Sequence, residues 1–194
     1  MLRSALLNVM VAAARKAARS LSRDFSEVER LQVSVKGPGN FVSAADHRAE
    51  AILREELAKA RPGYGFLGEE GGLIAGSDQT HTWIVDPLDG TTNFLHGIPQ
   101  FCISIGLERQ GTMVAGVIYN PIADELFTAE RGKGAFVNDQ RLRVAARRIS
   151  CKNCRAVLPW RQWAILAGFP DDFPAVVQPP QPKGYPLLTS EVQP

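Results

Sequence analysis

Apolar residues recur at three- and four-residue intervals through the first part of the chain, where Leu6, Leu7, Val9, Met10, Val11, Ala14 and Leu21 can share one stripe. That period predicts an amphipathic helix over residues 3–24. Gln32, Val33, Ser34, Val35 and Lys36 alternate instead, as a short strand does, ahead of a turn at Gly37, Pro38, Gly39 and Asn40. A second helix is expected from Ser43 to Ala60. Ser43 stands three residues before Asp46 in a near capping box, Ala49, Ile52, Leu53 and Leu57 share one face, and Arg61, Pro62 and Gly63 end the helix. Residues 64–68 read as a strand, and residues 72–80, mixed and rich in small side chains, as a mobile loop.

Trp83, Ile84 and Val85 form an apolar run of strand formers that delivers Asp86, and Pro87, lacking an N–H, is expected to stop the ladder there. Asp89 follows, then Gly90, Thr91, Thr92 and Asn93, a flexible glycine leading into residue types that begin helices. The pattern is strand, acidic loop, helix start. Four further strand-like runs, at residues 101–107, 113–119, 125–129 and 135–137, are joined by short turns and predict an antiparallel meander. Helices first and strands afterwards give an α+β layered fold, with helices packed against an antiparallel sheet.

Composition narrows the class. A chain of 194 residues forms one good-sized domain that buries roughly 70% of its unfolded surface. With 45% hydrophobic and 22% charged residues it has an ordinary globular balance, and a net charge of +2 gives no argument for nucleic acid or a membrane surface as partner. Three cysteines make no disulfide framework, which favours a reducing, cytoplasmic setting. No apolar run approaches the roughly 20 residues of a membrane-spanning helix. Arg3, Arg15, Lys16, Arg19 and Arg23, with no acid before Asp24, resemble a transit peptide, but the apolar stripe favours a folded first helix.

The chemistry lies in the acids. If the strands at 64–68 and 83–85 are neighbours, their C-terminal ends bring Glu69, Asp86 and Asp89 together, with Glu70 beside them. Three ionised carboxylates crowd unfavourably, and a divalent cation relieves them. Oxygen donors without histidine or cysteine favour Mg²⁺ over Zn²⁺. A metal-bound water would then be the nucleophile, positioned by Glu69 and held by the Thr91 hydroxyl, with the N–H groups of Gly90 and Thr91 on phosphate oxygens. The bland alternative, ordinary exposed loop acids, is disfavoured by the strand-to-helix setting. His96, beside a Gly97-Ile98-Pro99 turn, reads as structural.

Gly68-Glu69-Glu70 followed by Trp83-Ile84-Val85-Asp86-Pro87-Leu88-Asp89-Gly90-Thr91-Thr92-Asn93-Phe94 resembles the inositol monophosphatase family. Lys36, residues 42–46, 103–106, 116–121 and 125–130 fit it too, so the resemblance covers roughly residues 6–148. It implies a layered sandwich of the sugar-phosphatase type, of which this chain would hold the N-terminal half, and Mg²⁺-dependent hydrolysis of a small alcohol phosphate such as inositol 1-phosphate. By position, Glu69, Asp86 and the Leu88 carbonyl would hold a first metal, and Asp86 and Asp89 a second. Glu69 and Thr91 would orient the attacking water, with Asp46 as partner to Thr91. Asp89, Gly90, Thr91 and Thr92 would bind the substrate phosphate. A homodimer is also implied. Related readings are a sugar bisphosphatase, a nucleotide 3′-phosphatase, an inactive pseudoenzyme and a non-catalytic binding protein.

The family pattern ends at Arg147 and Arg148. From Ser150 onward eight of the thirteen prolines gather and acids almost vanish, and the family's distal Trp-Asp motif has no match. Residues 149–194 are therefore expected to be a divergent, disordered tail on a truncated or frameshifted chain. Cys151 and Cys154 form a lone C-x-x-C, read as accidental spacing. An apolar face left uncovered by the missing half would favour self-association.

Overall fold

The computed structural model describes residues 3–31, 38–69 and 71–143. Helix α1 (Ala5–Leu31) and helix α2 (Pro38–Ala60) lead into strands β1 (Tyr64–Gly68), β2 (Gly72–Ile74) and β3 (Asp78–Asp89). The short helix α3 (Thr91–Leu95) follows, then β4 (Cys102–Arg109), β5 (Thr112–Asn120), β6 (Glu125–Glu130), β7 (Gly134–Val137) and β8 (Gln140–Arg141). The strands make one sheet in the order β2-β1-β3-β4-β5-β6-β7-β8. From β3 onward it is the expected meander, every pair antiparallel. The sheet as a whole is mixed, because β1 runs parallel to β3.

The helical stripes bury as their periods require. Leu7, Met10, Val11, Ala14 and Leu21 of α1 meet Ala49, Leu53 and Leu57 of α2 in one core with Phe66, Trp83, Val85, Ile103, Ile105 and Val117 from the sheet. Leu6, Val9 and Ile52 pack at its margin. The basic segment is thus the polar side of a core helix: Arg3 pairs with Asp139 and Lys16 with Glu56, at 2.8 and 2.6 Å.

Three local expectations change. Helix α1 continues past residue 24 because its next turn has tertiary partners: buried Asp24 accepts from Arg48 at 2.7 Å, and Phe25 packs against Phe94 and Phe101. Helix α2 begins at Pro38, so the expected turn across residues 38–40 and the box at Ser43 lie inside it; a proline in the first turn sacrifices only an N–H that has no helical partner. Residues 72–80 carry β2 and the start of β3, where Asp78 accepts from the Thr80 N–H at 2.8 Å and His81 stacks on Tyr64 with ring centroids 4.4 Å apart. The strand expected over residues 32–36 and the tail from 149 lie outside the described residues.

Candidate functional site

Parallel pairing of β1 with β3 sets Gly68 beside Val85, so the next residue on each strand, Glu69 and Asp86, emerges at the same sheet end. Pro87 does not terminate β3. The ladder with β4 instead shifts register between Asp86 and Asp89, leaving Pro87 and Leu88 in an irregularity where the missing N–H interrupts no regular pairing. The shift returns Asp89 to pair with Cys102 and keeps it on the same corner as Asp86.

Gly90 makes the corner that follows. Its φ of +94° is a left-handed conformation, and a β-carbon there would lie 2.8 Å from the carbonyl oxygen of Gln100. Backbone freedom and close approach both require glycine. Helix α3 starts directly after it, and the Asn93 side chain ties the turn down by donating to the Gln100 carbonyl at 2.7 Å. Thr91 Oγ1 donates to the Leu88 carbonyl at 3.0 Å, and the Leu88 N–H donates to Asp86 Oδ1 at 3.1 Å. Asp46 is buried on α2, which packs against α3, whereas Thr92 is exposed.

Electrostatics records how close the acids stand. Burial, then the charges of Glu69 and Asp89, and a hydrogen bond with Glu69 raise the Asp86 carboxyl to about 7, against a smaller pull from the Leu88 N–H. Asp89 is raised too, by burial first and then Glu69, while the Cys102 thiol opposes the shift. That thiol is buried and donates to Asp89 Oδ2 at 3.6 Å; burial and the charges of Asp89 and Asp86 push its own pKa upward. Cys102 was invisible in the sequence, because only the register of β3 against β4 places it beside Asp89.

Glu69, Asp86 and Asp89 are thus brought together. Glu70 lies outside the described residues, and the exposed His96 merely ends α3. Among the described residues no group of three or more His, Cys, Asp or Glu side chains is arranged to hold a metal ion. The donor set nevertheless fits a hard divalent cation: it is all oxygen, and burial together with the charges of Glu69 and Asp89 disfavours the ionised form of Asp86, a cost that a cation would offset.

The chain matches the inositol monophosphatase family over residues 2–162. It is 72% identical over 147 residues to a Mesorhizobium japonicum protein named inositol-1-monophosphatase, covering 76% of this chain and 55% of that one. It is 42% identical over 139 residues to a Vibrio cholerae protein named Nus factor SuhB, covering 72% and 52%. Among solved structures, the extragenic suppressor protein suhB of Bartonella henselae superposes with a TM-score of 0.67 at 62% identity, covering 75% and 56%. The chain spans about half the length of the curated relatives it matches.

Proposed function

This chain belongs to the inositol monophosphatase family, and from that premise we propose that it carries the cation and phosphate half of a site hydrolysing a small alcohol phosphate monoester such as inositol 1-phosphate. The observation that carries the reading is that the parallel β1–β3 pair brings Glu69 and Asp86 to one sheet end with Asp89, where burial first and then the charges of Glu69 and Asp89 raise the Asp86 carboxyl to about 7.

Glu69, Asp86 and the Leu88 carbonyl would hold one Mg²⁺, and Asp86 with Asp89 would contribute to a second. When bound, Mg²⁺ lowers the pKa of a ligand water and offsets phosphate charge. Glu69 accepts the proton of the attacking water, and the Thr91 hydroxyl, seated over the Leu88 carbonyl, orients it. Asp46, buried on the neighbouring helix α2, would support Thr91. The backbone from Asp89 to Thr92, turned by Gly90, offers N–H groups to the phosphate oxygens as negative charge builds on them. The P–O bond to the alcohol breaks, the departing alkoxide takes up a proton from solvent, and inorganic phosphate is released.

Phosphate release from inositol 1-phosphate with Mg²⁺, compared between the natural chain and Asp86→Asn, tests this. Loss of at least about a hundredfold in the variant is expected, the scale at which metal-supporting groups act. Equal release from both would end the metal mechanism. A second reading, a non-catalytic binding protein, draws on the relative named Nus factor SuhB. It is favoured if neither protein releases phosphate.

A further inference from the structure

Helix α2 sends a second buried acid toward the same corner. Glu50 lies one helical turn after Asp46, and both are buried, at 7% and 3% exposure. At two glycines of the turn that carries Glu69, a side chain would meet the Glu50 carboxylate. A β-carbon on Gly68 would lie 2.5 Å from Glu50 Oε2, 2.7 Å from Cδ and 3.0 Å from Oε1. One on Gly71 would lie 2.6 Å from Oε1 of the same carboxylate. The two positions flank Glu69, so one side chain occupies the space on both sides of it.

We propose that Glu50 is a positioning residue, whose buried carboxylate fills the side-chain space of Gly68 and Gly71 and so fixes the turn that presents Glu69 to Asp86 and Asp89. Burial gives the proposal its force. A carboxylate at a helix surface would swing aside into solvent when pressed, whereas Glu50, only 7% exposed, has little solvent to swing into. The end of β1 is thereby held against α2 as well as against β2 and β3. A residue that holds a ligand-bearing segment in this way acts on cation affinity through Glu69 without touching the cation. The effect on cation binding rests on the metal role proposed above; the bracing of the turn does not.

Two measurements on the full 194-residue chain separate these parts. Amide hydrogen exchange reports the turn, and calorimetric titration with Mg²⁺ reports the site. In Glu50→Ala, exchange at residues 69–72 accelerates by about tenfold or more while β4 and β5 keep their protection. Mg²⁺ affinity falls by about ten- to a hundredfold, and Glu50→Gln, which keeps the volume and an acceptor, restores both. Gly71→Ala presses the same carboxylate from the turn and accelerates the same amides, which decides the matter if Glu50→Ala does not fold. In the Glu50→Ala background it adds nothing further, since the obstacle is gone.

Unchanged exchange at residues 69–72 in Glu50→Ala, or in Gly71→Ala, would overturn the brace. Faster exchange with unaltered Mg²⁺ affinity would overturn the positioning role. If the natural chain binds no Mg²⁺, the metal reading falls and exchange alone still decides whether Glu50 holds the turn.

Discussion

An unfolded aspartate releases its proton near pH 3.8, whereas Asp86 in the fold holds it to about 7, chiefly because of burial and the neighbouring Glu69 and Asp89. Between those values the folded chain binds a proton that the unfolded chain has lost. The stability from this group is therefore complete below pH 4 and is lost as pH rises through 7. Thermal melting in chelator should fall from pH 4 to pH 7 more steeply for the natural chain than for Asp86→Asn, which cannot ionise; identical slopes would exclude the effect. Adding Mg²⁺ at pH 7.5 should raise the melting temperature of the natural chain, by about 2.7 kcal/mol of stability at a hundredfold excess over Kd. At Gly90, alanine meets both a left-handed φ and the Gln100 carbonyl, and a cost of about 1–3 kcal/mol in urea unfolding is expected. Glu69, Asp86 and Asp89 could be placed near one another from sequence because each stands at or just beyond the end of an apolar strand-forming run. Glu50 was not, since its signal is the side-chain space of two glycines that only the fold brings to it.

Elements were legible where their period is strong, and their ends were not. The core stripes of α1 and α2 follow from spacing alone, yet α1 extends because Phe25 and Asp24 find partners far along the chain. The course of β3 through Pro87 escaped sequence reading for a similar reason. A proline ends a strand only where its N–H is needed, and the register shift beside β4 removes that need. Phe25, Phe94 and Phe101 join α1, α3 and the entry to β4, with centroids 4.9 to 5.4 Å apart. Phe101→Ala should cost about 3–5 kcal/mol by thermal or urea unfolding, because it opens a void where three elements meet. A cost below 1 kcal/mol would mean that they are not coupled there.

Across the whole molecule, two helices cover one face of a sheet whose apolar side chains are not all enclosed. Leu67 and Leu73 stand opposite each other on β1 and β2, at 38% and 68% exposure, and Ile74, the next residue of β2, is exposed on the other face of the same edge. Surface of this kind at a sheet edge promotes association. Leu73→Lys should shift sedimentation toward monomer at high protein concentration; an unchanged distribution would remove this edge as the cause. Among the described residues no helix is long and apolar enough to cross a membrane.

The parallel pairing of β1 with β3 has a kinetic consequence. From β4 to β8 every strand joins its neighbour through a short turn and β3 joins β4 through α3, so that ladder can close largely by successive local hairpins. Strand β1 can join only after the intervening β2 segment has looped back, and joining is what forces Glu69 against Asp86 and Asp89. The acidic corner is thus expected to assemble late and against its own charge. It is also the part that can come away first, because release of the β1–β2 edge separates the acids and leaves six strands paired. Opening and closing of that edge would switch cation binding on and off while the rest of the molecule stays folded.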